Sequence, residues 1–384
     1  MREFDVRDTP VVLKFVKNAP VDGVELDPLH AKSTAGSDYF VEVVLPRSAP
    51  DFSNKISGSR NTVNEAAVEN VTWAITDGRA GILNQARGLA EAIGLPVEVK
   101  TVHPRWPWTW LPVTHWPAPF AALGPDSTPL RPPWPRVAIG CGWRSIPFML
   151  AIKRRSNGTT FTVQLQHPRI YPKRFDLVVP PEHDGLTGDN VMPIIGSPNG
   201  VTKATLDTAA ARWAKTFERL PHPRVAVLVG GASKSHRFSD DDARELAAKL
   251  KALAAQGHGL MVTTSRRTGE TQEKIIRDAL AGTRSYVFDG AGDNPYIGLL
   301  ALADAILVTS DSTNMAVEAA ATGKPVHIID LPGGGAKFDR LHASLTKKGI
   351  TRPFNGAIEA WRYEPLNETA RVAHVIRRKI GLEP

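Results

Sequence analysis

From Val71 onward the chain repeats one unit: a short apolar strand, a polar or glycine-bearing turn, then a helix-length amphipathic stretch. The first series holds "VTWAIT" (71–76), "DGRAG", the helical "NQARGLAEAIGL" (84–95) and the strand "PVEVKTV". After a Trp/Pro-rich interval come "RVAIGCG" (136–142), "TFTVQLQ" (160–166), "DLVVPPEHD" (176–184) and "VMPIIGS". Residues 201–221 read as a linking helix and loop. A second series opens at Arg224 with "VAVLVGG" and closes on "PVHIIDL". Strands alternating with helices of ten or more residues specify βαβ units and parallel sheets. Two such series predict an α/β protein of two Rossmann-like domains facing a cleft, the first over residues 71–205 and the second over 222–362. Residues 363–384 add a C-terminal helix expected to pack back on the N-terminal domain. Residues 1–70 differ, with strand-like patches ("VVLKF", "YFVEVVL") and no following helices, and read as an extension of unknown role.

Composition narrows the function classes. The 384 residues carry a formal net charge of +8, which favours phosphates and anionic surfaces. The Lys and Arg residues are scattered, without the block that marks a nucleic-acid arm, so no nucleic-acid partner is expected. Cys141 is the only cysteine, which excludes an intramolecular disulfide and an all-cysteine metal site and suits a reducing compartment. The N-terminus lacks the apolar core of a secretory signal, and no apolar run reaches membrane-spanning length. The expected location is cytoplasmic, or peripheral on the inner face of a membrane.

Ligands in doubly wound sheets bind beyond the carboxyl ends of the strands, so the strand-to-helix turns are the candidate sites. In "TDGRAG" the glycines Gly78 and Gly81 permit close approach of a ligand, with Asp77 as a base and Arg79 as a phosphate clamp. "VGGASKSHRFS" supplies Gly230, Gly231, Ser233 and Lys234, a cationic loop suited to a diphosphate although its spacing is not that of a Walker loop. "TTSRRTG" adds Ser265, Arg266 and Arg267, whose guanidinium forks match phosphate oxygens. His183, in "VVPPEHDG", is a candidate base near neutral pH, and His167 a second. The Asp-x-Asp pattern in "DDD" (240–242) occupies a predicted first helical turn, where acids complement the dipole, so no metal site is assigned to it. No cofactor is expected. Five of the nine tryptophans fall within 103–135; they suit either a membrane interface or lipid-like acceptor, or the filling of the domain's underside.

"DNPYIGLLALADAILVTSDSTNMAVEAAATGKPVHIIDL", preceded by "TTSRRTG", resembles the mitochondrial fission protein family, also called the elongated-mitochondria family, which has plant and bacterial members. "DGRAG", "NQARGLAEAIGL", "LQHPRI" and "VVPPEHD" fit its N-terminal half, and the resemblance runs from about Val71 to Phe354. It implies a GT-B architecture, similar to enzymes that transfer N-acetylglucosamine in peptidoglycan and lipid A synthesis. By position, the resemblance puts the loop Gly230 to Lys234 on a diphosphate and Glu318 on the ribose hydroxyls. It sets Ser310, Ser312 and Thr313 beside the phosphates. The resulting expectation is a metal-independent glycosyltransferase. Its nucleotide-diphosphate-sugar donor would lie on Gly231, Ser233, Arg266, Asn294, Ser312 and Glu318, and Asp77 or His183 would act as base. A lipid-linked or envelope acceptor, and peripheral membrane contact through the Trp/Pro-rich loop, complete the partners. A non-catalytic membrane-associated adaptor and a nucleotide-sugar epimerase are the alternatives.

Overall fold

The computed structural model describes residues 68–113, 116 and 118–383, together with the backbone of three strands nearer the N-terminus. The chain divides into two compact units, Met1–Thr62 and Val63–Pro384. In the first, β1 (Val12–Val16), β2 (His30–Lys32) and β3 (Asp38–Val44) form an antiparallel sheet in the order β1-β3-β2. β1 and β3 match "VVLKF" and "YFVEVVL"; the rest of residues 1–67 lies outside the described residues.

The second unit is an α/β fold with two parallel sheets. Its N-terminal half runs β4 (Val68–Thr76), α1 (Ala80–Ile93), β5 (Val97–Thr101), β6 (Trp134–Cys141), α2 (Ile146–Arg155), β7 (Phe161–Leu165) and β8 (Leu177–Val179). The sheet order is β5-β4-β6-β7-β8. Both faces are covered, as a parallel sheet requires. α1 packs Ala86, Leu89, Ala90 and Ile93 on one face. On the other, α2 packs Phe148, Met149 and Ile152 beside Trp116 and Trp134. "VMPIIGS" does not form a strand; Val191 and Ile194 make only isolated bridges to Val178 and Pro181. Conversely, α2 was not anticipated from sequence. Pro147 sits in its first turn and Ile146 to Ile152 is an apolar run without a 3.6-residue period, so only burial on the sheet reveals the helix.

α3 (Lys203–Phe217) leads into the C-terminal half: β9 (Arg224–Val229), α4 (Asp240–Ala255), β10 (Gly259–Thr264), α5 (Glu270–Leu280), β11 (Ser285–Val287), α6 (Tyr296–Leu302), β12 (Ala305–Thr309), α7 (Thr313–Ala320), β13 (Val326–Ile329), α8 (Ala336–Lys347) and β14 (Thr351–Pro353). All neighbours are parallel, in the order β11-β10-β9-β12-β13-β14. The Asp-rich start of α4 is a cap. Ser239 accepts the Asp242 amide, and the Asp242 carboxylate accepts the Ser239 amide at 2.7 Å and lies below its usual range because of those Ser239 bonds. Finally α9 (Glu368–Lys379) returns to the N-terminal half. Val372, Ala373 and Ile376 join the α1 core, and Arg377 donates to the Ala92 carbonyl at 2.7 Å.

Lys324 ties α7 to α6. Its ammonium donates to the carbonyls of Leu300 and Ala301 at 2.7 and 2.5 Å, the last turn of α6. Burial lowers its pKa from 10.5 to about 8, opposed by the charge of Asp304. Between those values the unfolded chain holds a proton that the folded chain has released, so stability rises with pH across the window. The wild type is therefore expected to gain of order 1–3 kcal/mol relative to Lys324→Met over that window, read by urea unfolding at its two ends. An unchanged difference would refute the linkage.

Candidate functional site between the two sheets

The strand order reverses between β4 and β6 in the first sheet and between β9 and β12 in the second. Such reversals leave a crevice at the carboxyl edge, where flanking connections depart to opposite faces. α7 brings the two crevices together. A Cβ on Gly81, at the start of α1, would stand 3.4 Å from the Asn314 amide nitrogen, and Ser197 Oγ donates to Asn314 Oδ1 at 3.1 Å. Beside them Gly196 is pressed against Val317: a Cβ there would fall 2.2 Å from a Val317 methyl. The segment leading to α3 also inserts Ile195 into the C-terminal core.

On the C-terminal side the organising residue is Asp311, which the sequence reading did not single out. Its side chain is fully buried, accepts from Thr309 Oγ1 at 2.7 Å and the Gly231 amide at 3.0 Å, and pairs with Arg267 at 2.8 Å. Thr309 Oγ1 in turn accepts the Gly230 amide at 2.7 Å. Neither glycine tolerates a Cβ: at Gly230 it would meet the Asp311 carboxylate at 2.2 Å, at Gly231 the Arg267 carbonyl at 2.1 Å. Ser265 Oγ donates to the Gly230 carbonyl at 2.9 Å and fastens the neighbouring loop. Ser233 closes its own turn, accepting the amides of Ser235 and His236 at 3.2 and 3.1 Å. Lys234 and Arg266 are exposed, and among the described residues neither has an acidic partner.

The hydroxyls that open α7 divide their roles. Ser310 Oγ accepts the Leu331 amide at 3.0 Å and its carbonyl meets His342 Nε2 at 2.9 Å, so Ser310 joins two loops rather than capping the helix. Ser312 stands at the cap position, yet its side chain makes no capping bond, and the neighbouring Asp311 turns away to accept the Gly231 amide. Thr313 is the first helical residue, partly buried. Deeper in the helix, Glu318 accepts a hydrogen bond from the Tyr296 hydroxyl of α6. Burial raises the Glu318 pKa, partly opposed by that bond; burial and the neighbouring carboxylate raise Tyr296 well above its usual value. Asn294 accepts the Tyr296 amide at 3.0 Å and starts α6 from an exposed position.

On the N-terminal side Asp77 is buried and engaged by Arg79, whose Nε and Nη2 reach Oδ2 at 2.9 and 2.8 Å; Arg144, also unanticipated, approaches it at 4.0 Å. Base and clamp thus pair with each other. Gly78 takes φ +79°, which lets the chain turn back sharply after β4. His183 follows β8, and its side chain is 5% exposed with Nε2 lacking a hydrogen-bond partner. Burial, then Lys337 and Arg340, hold its pKa below 6.5 against the pull of Asp184. Lys337, from α8, pairs with Asp184 at 3.2 Å across the cleft. β4 and β8 stand three strands apart in the sheet order, so Asp77 and His183 root about 14 Å apart and do not form one dyad. His167 turns inward to its own loop, accepting the Arg169 amide at 2.9 Å. Cys141 is buried against Gln85, its thiol pushed up to about 12 chiefly by burial.

The family described as Mitochondrial fission ELM1 matches residues 80–380. Mitochondrial fission protein ELM1 of Arabidopsis thaliana is 33% identical over 274 residues, 64% of each chain. An uncharacterized protein, RP120, of Rickettsia prowazekii is 32% identical over 207 residues, 51% of this chain and 57% of that one. The chain thus spans under two thirds of the length of these relatives. Solved structures similar to it include UDP-GlcNAc 2-epimerase from Methanocaldococcus jannaschii (10% identity, TM-score 0.49, covering 80% of this chain and 100% of that one) and MurG from Acinetobacter baumannii (14%, 0.42, 81% and 95%).

Proposed function

The chain belongs to the mitochondrial fission ELM1 family, and on that premise we propose that its cleft binds a nucleotide-diphosphate-sugar and transfers the sugar to an acceptor held by the N-terminal half. The observation that carries this reading is the meeting of the two sheet crevices at α7, with the Gly230–Gly231 loop on one side and Arg79 and Arg144 on the other. Asp311 occupies the inner part of the loop, which is therefore built to hold negative charge; the diphosphate docks on its outer rim, against Ser233, Lys234, Arg266 and the first amides of α7. There the fixed cations and amides stabilise the departing diphosphate. Glu318, about one and a half turns into α7, is positioned for ribose hydroxyls.

Of the two candidate bases, His183 suits the role better. Its depressed pKa keeps the imidazole neutral at pH 7 and its Nε2 makes no hydrogen bond, whereas Asp77 is held by Arg79. The test is calorimetric titration with nucleoside diphosphates and nucleotide-sugars. Glu318→Ala is expected to weaken the best ligand about tenfold or more while the protein stays folded, losing only the roughly 1–3 kcal/mol of the stranded Tyr296 hydroxyl. Affinity is also expected to fall as pH drops through the raised Glu318 pKa, above the ordinary 4.5, because a protonated carboxyl loses its strongest acceptor capacity. Unchanged affinity in the variant would sink the ribose assignment, and the absence of any nucleotide binding would sink the reading as a whole.

A further inference from the structure

Away from the cleft, a cavity of about 500 Å³ lies between α2 and the Trp/Pro-rich segment. One wall is a single face of α2: Pro147, Leu150, Ala151 and Arg154 follow one another at the i, i+3, i+4, i+7 spacing. Val113, Trp116 and Pro119 make the facing wall. Trp116 is fixed edge-on against Phe148 and donates to the Leu111 carbonyl at 3.2 Å, so this wall is rigid and apolar. The same lining also carries charge: Lys153, Arg154 and Arg174 belong to it, and among the described residues no acidic side chain does. Lys153 is anchored by Asp176 at 2.7 Å, whereas Arg154 and Arg174 are exposed and have no acidic partner among the described residues. The lining therefore combines apolar walls with two exposed, unneutralised guanidiniums.

Two further observations bear on what such a cavity takes. α2 leaves the carboxyl edge of the sheet at Ile146 and ends ten residues later, so its cationic end stands about 15 Å from the cleft edge. It is not part of the nucleotide site. The same segment leaves Trp106 58% and Trp110 85% exposed, and Tyr171, beside the turn that carries Arg174, 65% exposed. Indole and phenol rings of this kind rest at the headgroup level of a bilayer.

We propose that this cavity is a docking site for an anionic phospholipid of a bilayer surface. The headgroup phosphate lies on Arg154 and Arg174, an acyl chain enters between α2 and Trp116, and the exposed tryptophans lie at headgroup depth. A zwitterionic lipid has the same phosphate, but its own ammonium already offsets the charge that the two guanidiniums require. A soluble phosphate lacks the chain that fills the apolar wall.

The test is co-sedimentation of the full chain with vesicles of phosphatidylcholine alone or mixed with phosphatidylglycerol. Binding is expected only to the mixed vesicles and to weaken with added salt. The double variant Arg154→Glu/Arg174→Glu is expected to lose about thirtyfold in vesicle affinity, with its melting temperature and any nucleotide binding unchanged. Glycerophosphoglycerol, the headgroup without acyl chains, is expected not to compete. Equal binding to neutral vesicles, retention of binding by the folded double variant, or full competition by the chain-free headgroup or by inorganic phosphate would each overturn the proposal.

Discussion

Asp311→Ala is expected to lower stability by about 2–4 kcal/mol and to abolish nucleotide affinity, the largest combined effect of any single change in the cleft. The carboxylate is fully buried, and removing it strands the Gly231 amide and the Thr309 hydroxyl without acceptors. Each such orphan costs about 1–3 kcal/mol. The Arg267 partner limits the total, because its side chain is 41% exposed and reaches water once released. Loop geometry suffers beyond the energy. Gly230 and Gly231 approach Asp311 and the Arg267 backbone too closely for any Cβ, so the loop holds its shape only while the carboxylate fills the space between them. Asp311→Asn keeps the volume and one acceptor and should fall midway. Urea unfolding of the three proteins, with calorimetry on each, measures both effects. A wild-type loop in Asp311→Ala, shown by full stability and unaltered affinity, would refute the role assigned to the carboxylate.

Much of this architecture is legible in the chain itself, for a definite physical reason. Strands buried on both faces read as continuous apolar runs, and those runs place β4, β6, β9, β10, β12 and β13. α4 was legible because Ser239 and three acids announce its first turn. α2 was not, since a helix buried along most of its surface has no amphipathic period to detect. The candidate site shows a similar division. Glycines and cations after strands mark the right turns, because those turns must lie at the carboxyl edge. Which side chain fills a turn is a tertiary matter. In "TSDST" the hydroxyls look like caps and the acid like an accompaniment; in the folded chain Asp311 gathers the donors and Ser312 caps nothing. Arg144 and Tyr296 could not be assigned to Asp77 and Glu318 without knowing that β4 neighbours β6 and that α6 neighbours α7. Within the Trp/Pro-rich segment, Trp116 and Trp134 fill the core as one reading expects, while Trp106 and Trp110 face outward.

The joint between the two sheets supplies a second large effect. Gly196 takes φ +73°, and a Cβ placed there would stand 2.2 Å from a methyl of Val317, itself fully buried in α7. Gly196→Ala therefore adds two costs, roughly 1–2 kcal/mol for a left-handed alanine and about 1–3 kcal/mol for overpacking. Val317 cannot yield, because it shares its core with Ala316, Ala319 and Ile195. The strain is expected instead to push α7 away from the N-terminal half, separating Asn314 from Ser197 and parting the two crevices. A loss of about 2–5 kcal/mol in unfolding free energy should thus come with weaker nucleotide binding. Val317→Ala removes the opposing methyls, so the double variant should recover the overpacking share but not the backbone share. The expected coupling is about 1–2 kcal/mol in a double-mutant cycle. Strict additivity would mean that the two residues do not press on each other in solution. Full recovery of stability without recovery of binding would mean that the joint holds the fold but does not align the site. Recovery of binding together with the overpacking share of stability is the result expected if the close approach at Gly196 is what sets one crevice against the other.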